Sequence, residues 1–82
     1  MIYTIGQVNN PGPYQTQPDM TVLQALSTAG GFTEWADKKS IMIVRRDKGK
    51  ETMFRFNYQD FISGKELKQN IVLEPNDTIV VP

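Results

Sequence analysis

The sequence predicts an α+β fold in which one helix lies on one face of a mixed β-sheet. Strand-like runs rich in β-branched and aromatic residues come in pairs, split by turns of Gly, Pro and Asn. A single segment, Thr21 to Phe32, carries a sustained helical period. The closing run "TIVV" is apolar at consecutive positions, as in a strand interior to a mixed sheet. With 82 residues, the chain is of a size that buries roughly 60% of its unfolded surface. Its core must therefore be compact, with little volume left for an elaborate active site.

Taken in order, "MIYTIGQV" is the first strand. Ile5 and Val8 would face opposite ways in a regular strand, and Gly6 between them is expected to form a bulge that returns both to the core. "NNPG" is a turn, with Pro11 fixing φ and Gly12 able to take a positive φ. "PYQTQ" returns as a strand framed by Pro13 and Pro18, whose missing N–H groups suit an edge. In "TVLQALSTAGGF", Thr21 and Gln24 make a capping-box pattern. Val22, Ala25, Leu26 and Ala29 share one face, and Leu23 widens it. Gly30 or Gly31 supplies the left-handed stop, and Phe32 folds back onto the last turn.

"FTEWADKKS" is a connector in which Phe32 and Trp35 are expected to pin the helix to the sheet. "SIMIVRR", "DKGK" and "ETMFRFN" form a hairpin with Gly49 in its turn, Phe54 and Phe56 on one face and Met53 and Arg55 on the other. "NYQDFISG" is a short helix capped by Asn57, stapled by Phe56 and Phe61, and ended by Gly64. "IVLEPNDTIVVP" is the final strands, two apolar runs split by a turn centred on Pro75 and Asn76. A β-grasp layout, with first and last strands parallel under the helix, satisfies this order. A ferredoxin-like layout would need a longer second helix than "NYQDFISG" provides.

The nine basic and nine acidic residues cancel, so no net field draws the chain to nucleic acid or a membrane surface. Seven of the nine basic residues lie between Lys38 and Arg55, leaving the remainder acidic. Cysteine and histidine are absent, which removes disulfides, thiolate nucleophiles, zinc-finger frameworks and the commonest general base and metal ligand. No signal-like or membrane-spanning run occurs. The abrupt start in a strand and finish on "IVVP" are expected of a single domain, residues 1–82, belonging to a longer protein.

"GQVNNPGPY", "TVLQALSTAGGF", "IMIVRR" and "LEPNDTIVVP", in that order and spacing, resemble the soluble-ligand-binding β-grasp (SLBB) domain of bacterial polysaccharide export proteins. The family commonly has Pro-Gly-Asp where this chain has "PND", and Asn76 can take the same backbone conformation. The resemblance implies a non-catalytic module at the periplasmic side of the outer membrane. There it would bind capsular or exopolysaccharide, or contact neighbouring subunits of the export channel. It allows a monomeric isolated domain even where the parent forms a ring. Related β-grasp domains bind cobalamin, but no cofactor-contacting cluster is evident here and no cofactor is expected.

Sugars are held by aromatic faces and by amides that fix their hydroxyls. Trp35, Tyr14 and Tyr58, with Asn9, Asn10, Gln15 and Gln17, supply those groups, and Asn10 joins the three aromatics as a candidate ligand residue. The structural alternative places Trp35 under the helix and the tyrosines at the core edge. Arg45, in the basic segment "DKKSIMIVRRDKGK", is a candidate contact to an anionic glycan or an acidic subunit. Its neighbour Arg46 points to the opposite face, which breaks a coherent patch for nucleic acid. Paired carboxylates for hydrolysis, Glu34 with Asp37 or Glu74 with Asp77, fall on turns, and turn geometry explains the second pair better than catalysis does. The rival reading is a β-grasp protein-interaction module without sugar contact, acting through a sheet edge or patch.

Overall fold

The computed structural model describes residues 1–82. The chain runs β1 (Ile2–Gly6), β2 (Gly12–Tyr14), α1 (Val22–Thr28), β3 (Ile41–Asp47), β4 (Lys50–Phe56), α2 (Tyr58–Ile62), a 3-10 turn (Leu67–Gln69) and β5 (Thr78–Val81). All five strands join one sheet in the order β2-β1-β5-β3-β4. β1 and β5 pair in parallel, and every other neighbouring pair is antiparallel. This is the expected β-grasp arrangement. α2 has five residues, too few for a ferredoxin-like second layer.

Helix α1 forms as its sequence requires. The Thr21 hydroxyl accepts the Gln24 N–H, and the Gln24 side chain accepts the Thr21 N–H. The reciprocal pair satisfies two of the unpaired donors at the helix start. Val22, Ala25, Leu26 and Ala29 are buried on the sheet side. At the other end, Gly30 N–H donates to Ser27 and Gly31 N–H to Leu26, with both glycines at positive φ. That is a Schellman stop, in which glycine avoids the Cβ penalty of the left-handed region. Helix α2 follows the same plan: Asn57 caps it, and Phe56 and Phe61 have ring centroids 5.8 Å apart.

The core lies between α1 and the sheet. Ile2, Ile41, Ile43, Phe56, Ile79 and Val81 close it from the strands, with Val8, Met20 and Leu73 from the loops. Each such side chain contributes about 1.5–3 kcal/mol by leaving water. The hairpin β3–β4 closes on Lys48 and Gly49, both at positive φ, the two-residue turn whose twist matches the strands. Glu74-Pro75-Asn76-Asp77 is a turn closed by the Asp77 N–H on the Glu74 carbonyl, with Asn76 at φ 73°.

Four expectations are corrected. The returning strand is shorter than "PYQTQ": it ends at Tyr14, and Gln15 to Gln17 lie outside it. Ile5 does not return to the core; it is 49% exposed on the face away from α1. Gly6 does break the strand, at φ 94°, but the kink turns only Val8 inward. Trp35 does not pin the helix: it is 77% exposed, and Phe32 alone packs against the core. Of the two apolar runs near the C-terminus only the second is a strand. Ile71 to Leu73 instead make an isolated bridge, Val72 to Thr21, that holds the start of α1.

One buried ion pair ties β3 to the turn before β5. The Asp77 side chain is 1% exposed and accepts from Arg45 Nη2 at 2.9 Å, from Arg45 Nε at 3.1 Å and from the Glu74 N–H at 2.9 Å. Arg45 Nη1 meets Glu74 at 2.8 Å, and the guanidinium lies 4.9 Å from the Phe54 ring centroid. Arg45 and Phe54 are thus on the core side of the sheet, while Arg46 pairs with Glu51 on the other side, in solvent.

Two stability experiments test this account. A Cβ on Gly6 would sit 2.0 Å from the Val81 carbonyl oxygen, whereas one on Gly31 would meet nothing within 4 Å, though both have positive φ. Gly31→Ala is expected to cost about 1–2 kcal/mol from backbone conformation alone. Gly6→Ala adds about 1–3 kcal/mol of overpacking, and equal urea midpoints for the two would refute the close approach of β1 to β5. Asp77→Ala removes the buried carboxylate from Arg45 and from the Glu74 N–H, leaving Arg45 only the exposed Glu74 and the Val72 carbonyl, and is expected to cost about 2 kcal/mol or more. A loss below about 1 kcal/mol in the same measurement would show that the pair does not hold the turn.

Candidate functional site

The segments singled out in the sequence interlock at the C-terminal end of α1. Asn9 N–H donates to the Gly31 carbonyl at 3.0 Å, Asn10 N–H to Ala29 at 2.8 Å, and Asn9 Nδ2 to Gly30 at 2.7 Å. The C-cap carbonyl of Ala29 and the two glycine carbonyls that follow it are thus taken by "NNPG". Val8 bridges Phe32, and Thr33 N–H donates to the Gln7 carbonyl, so residues 7–10 and 29–33 form one ordered strip. Tyr14 extends it, its hydroxyl donating to the Asn10 carbonyl.

Two open clefts flank α1. The first, about 750 Å³, is lined by Leu23, Leu26, Gly30, Gly31, Phe32 and Tyr58 with Gln24 and Ser27. The second, about 630 Å³, is lined by Tyr14, Gln15, Gln17, Asp19 and Met20 with Gln24, Ser27 and Thr28. Gln24 and Ser27 belong to both, so the exposed face of the helix is a polar ridge between two grooves. Tyr58 stands in the first groove, edge-on to Phe32 with centroids 4.8 Å apart. The Lys38 ammonium lies 5.7 Å from the Phe32 centroid, beside a groove whose own lining carries no charge. An aromatic face beside amide and hydroxyl groups is the chemistry that takes a sugar ring and fixes its hydroxyls.

The candidate residues divide accordingly. Tyr14 and Tyr58 each line a groove, and Asn10 sits behind Tyr14 with its side chain against Gly30. Trp35 lines neither groove, although it is the most exposed of the large apolar side chains. Arg45 stands apart: all three guanidinium nitrogens are engaged within the chain, by Asp77, Glu74 and the Val72 carbonyl. The hydrogen bonds to Asp77 raise its pKa above the ordinary value, against the opposing effect of burial. This is the setting of a structural cation.

Gln24 and Ser27 were not among the residues the sequence nominated. The signal for them is the exposed face of α1, which is Gln24, Ser27 and Thr28 and carries no charge. Surface helices ordinarily carry charged residues on that face. Gln24 Oε1 is used by the capping box, which leaves its Nε2 hydrogens available to a ligand.

No helix is long and apolar enough to cross a membrane. A family model described as the SLBB domain matches residues 1–57. That span holds β1 to β4, α1 and both interlocked motifs, and stops short of β5, the strand that completes the sheet. The match covers well over half of the chain, its family name denotes a soluble-ligand-binding β-grasp domain, and the mixed five-stranded sheet under one main helix agrees with it; the chain belongs to the SLBB domain family.

Proposed function

We propose that this domain is a non-catalytic, polysaccharide-binding module of a bacterial polysaccharide export protein, working at the periplasmic side of the outer membrane. Family membership supports the ligand class, and the observation that carries the reading is the ridge of α1 between two aromatic-edged grooves. A polymer lying across the helix would place one sugar on Tyr58 and Phe32 and another near Tyr14. Gln24 and Ser27 would address hydroxyls between them. Lys38 favours an acidic polymer at the first groove. The mechanism is positional: the sheet holds the grooves rigid, and binding is reversible and breaks no bond.

Oligosaccharide titration followed by amide NMR shifts tests this. Acidic capsular oligosaccharides are expected to shift Gln24, Ser27, Gly31 and Tyr58 more than neutral ones do. Tyr58→Ala should weaken binding about fivefold, the worth of roughly 1 kcal/mol of aromatic contact. No shift at millimolar sugar would remove the glycan reading and leave subunit contact as the role of the module. A response confined to the Trp35 indole would move the site from the grooves to the connector.

A further inference from the structure

β4 is an outer strand of the sheet, seven residues long and without proline. Its turn closes on the Asp47–Lys50 pair, and in a two-residue hairpin those flanking residues exchange backbone hydrogen bonds. Alternation then turns the backbone groups of Lys50, Thr52, Phe54 and Phe56 toward β3 and those of Glu51, Met53 and Arg55 toward the open edge. One further position confirms the parity. Asn57 is next in the outward series, and its N–H and carbonyl are both taken by the side chain of Gln69, at 2.7 and 3.1 Å. The chain caps its own edge there and leaves it open at Glu51, Met53 and Arg55, all three exposed.

An open edge recruits another strand unless its charges forbid it. Here the charges specify one partner. We propose that β4 pairs antiparallel with β4 of a second copy of this chain, about a two-fold axis at Met53. In that register Glu51 faces Arg55 of the second copy, and Arg55 faces its Glu51. The two Met53 residues face each other and exchange central hydrogen bonds. Two-fold registers centred on Glu51 or on Arg55 would set like charges directly opposite, which is destabilising. Those centred on Thr52 or Phe54 give Arg55 no acid and leave Glu51 with only Arg46 of its own chain. Only the Met53 register gives Arg55 an acid and Glu51 a second cation beside Arg46.

The ends agree with this pairing. Asn57, which Gln69 covers, would face Gly49 of the second copy, where that strand has reached its turn. Pairing also extends a row that the fold has already built. Tyr3, Thr78, Val44 and Met53 lie in register across β1, β5, β3 and β4 on the face away from α1, and the row would continue through the second Met53. The result is a ten-stranded sheet with α1 and both of its grooves uncovered. The association is independent of any sugar, so it and the glycan reading can each fail alone.

A charge-swap pair tests the proposal by sedimentation equilibrium up to about 1 mM chain. The wild type is expected to dimerise. Arg55→Glu places Glu against Glu twice, and Glu51→Lys places cation against cation twice; each is expected to weaken self-association about tenfold or more. Mixed together, the two variants restore both pairs, one copy supplying two acids and the other two bases, and should form a heterodimer of wild-type strength. Both substitutions are at exposed positions, and amide spectra confirm the fold of each. A wild type monomeric at 1 mM overturns the proposal. So does a dimer that Arg55→Glu leaves unchanged, or a mixture of folded variants that stays monomeric.

Discussion

The structure depends on the parallel pairing of β1 with β5, which brings the two ends of the chain together at the middle of the sheet. A parallel pair cannot be closed by a hairpin, so everything between the two strands is one long crossover. The pairing is fixed at both ends. At one, Gly6 lets β1 lie against the Val81 carbonyl at a distance that no side chain permits. At the other, the Tyr3 N–H donates to the Asp77 carbonyl at 2.9 Å. The Asp77 side chain there holds both Arg45 and the preceding turn.

That central pair sets the position of everything functional. With β5 in place, Ile79 and Val81 provide the floor on which Val22, Ala25 and Leu26 rest. Ala25 and Ala29 are fully buried in the core between helix and sheet, so the exposed face of α1 is presented at a fixed height. The "NNPG" loop then caps the helix end with three hydrogen bonds, which makes loop and helix one rigid body rather than two mobile edges. A groove built on such a base loses little entropy when a ligand enters it.

The two surfaces of interest are separate. The grooves lie beside α1 on one face of the sheet, and the open edge of β4 lies at the end of the strand order. Nothing a polymer covers on the helix is needed for strand pairing. A module with two independent surfaces of this kind can hold a ligand and a neighbour together, which suits a component of a larger assembly.

The order of elements was legible in the sequence because each is written locally. Thr21 with Gln24, Asn57 with Asp60, the paired glycines and the "PND" turn are short-range signals, and each formed as its residue types require. Patterning also separated Phe54 and Phe56 from Met53 and Arg55. What failed was burial at single residues. Ile5 and Trp35 have core chemistry but lie outside, because strand parity past Gly6 and the path of the connector are settled by contacts with distant residues. Arg45 read as a free cation, and its partner Asp77 lies 32 positions away. Gln24 and Ser27 became site residues only when Tyr14 and Tyr58, from opposite sides of the helix, were brought to its flanks. Local hydrogen bonding and periodicity determine which segments are helix, turn or strand; which faces meet, and so which polar groups are free to bind, is decided only when the first and last strands pair.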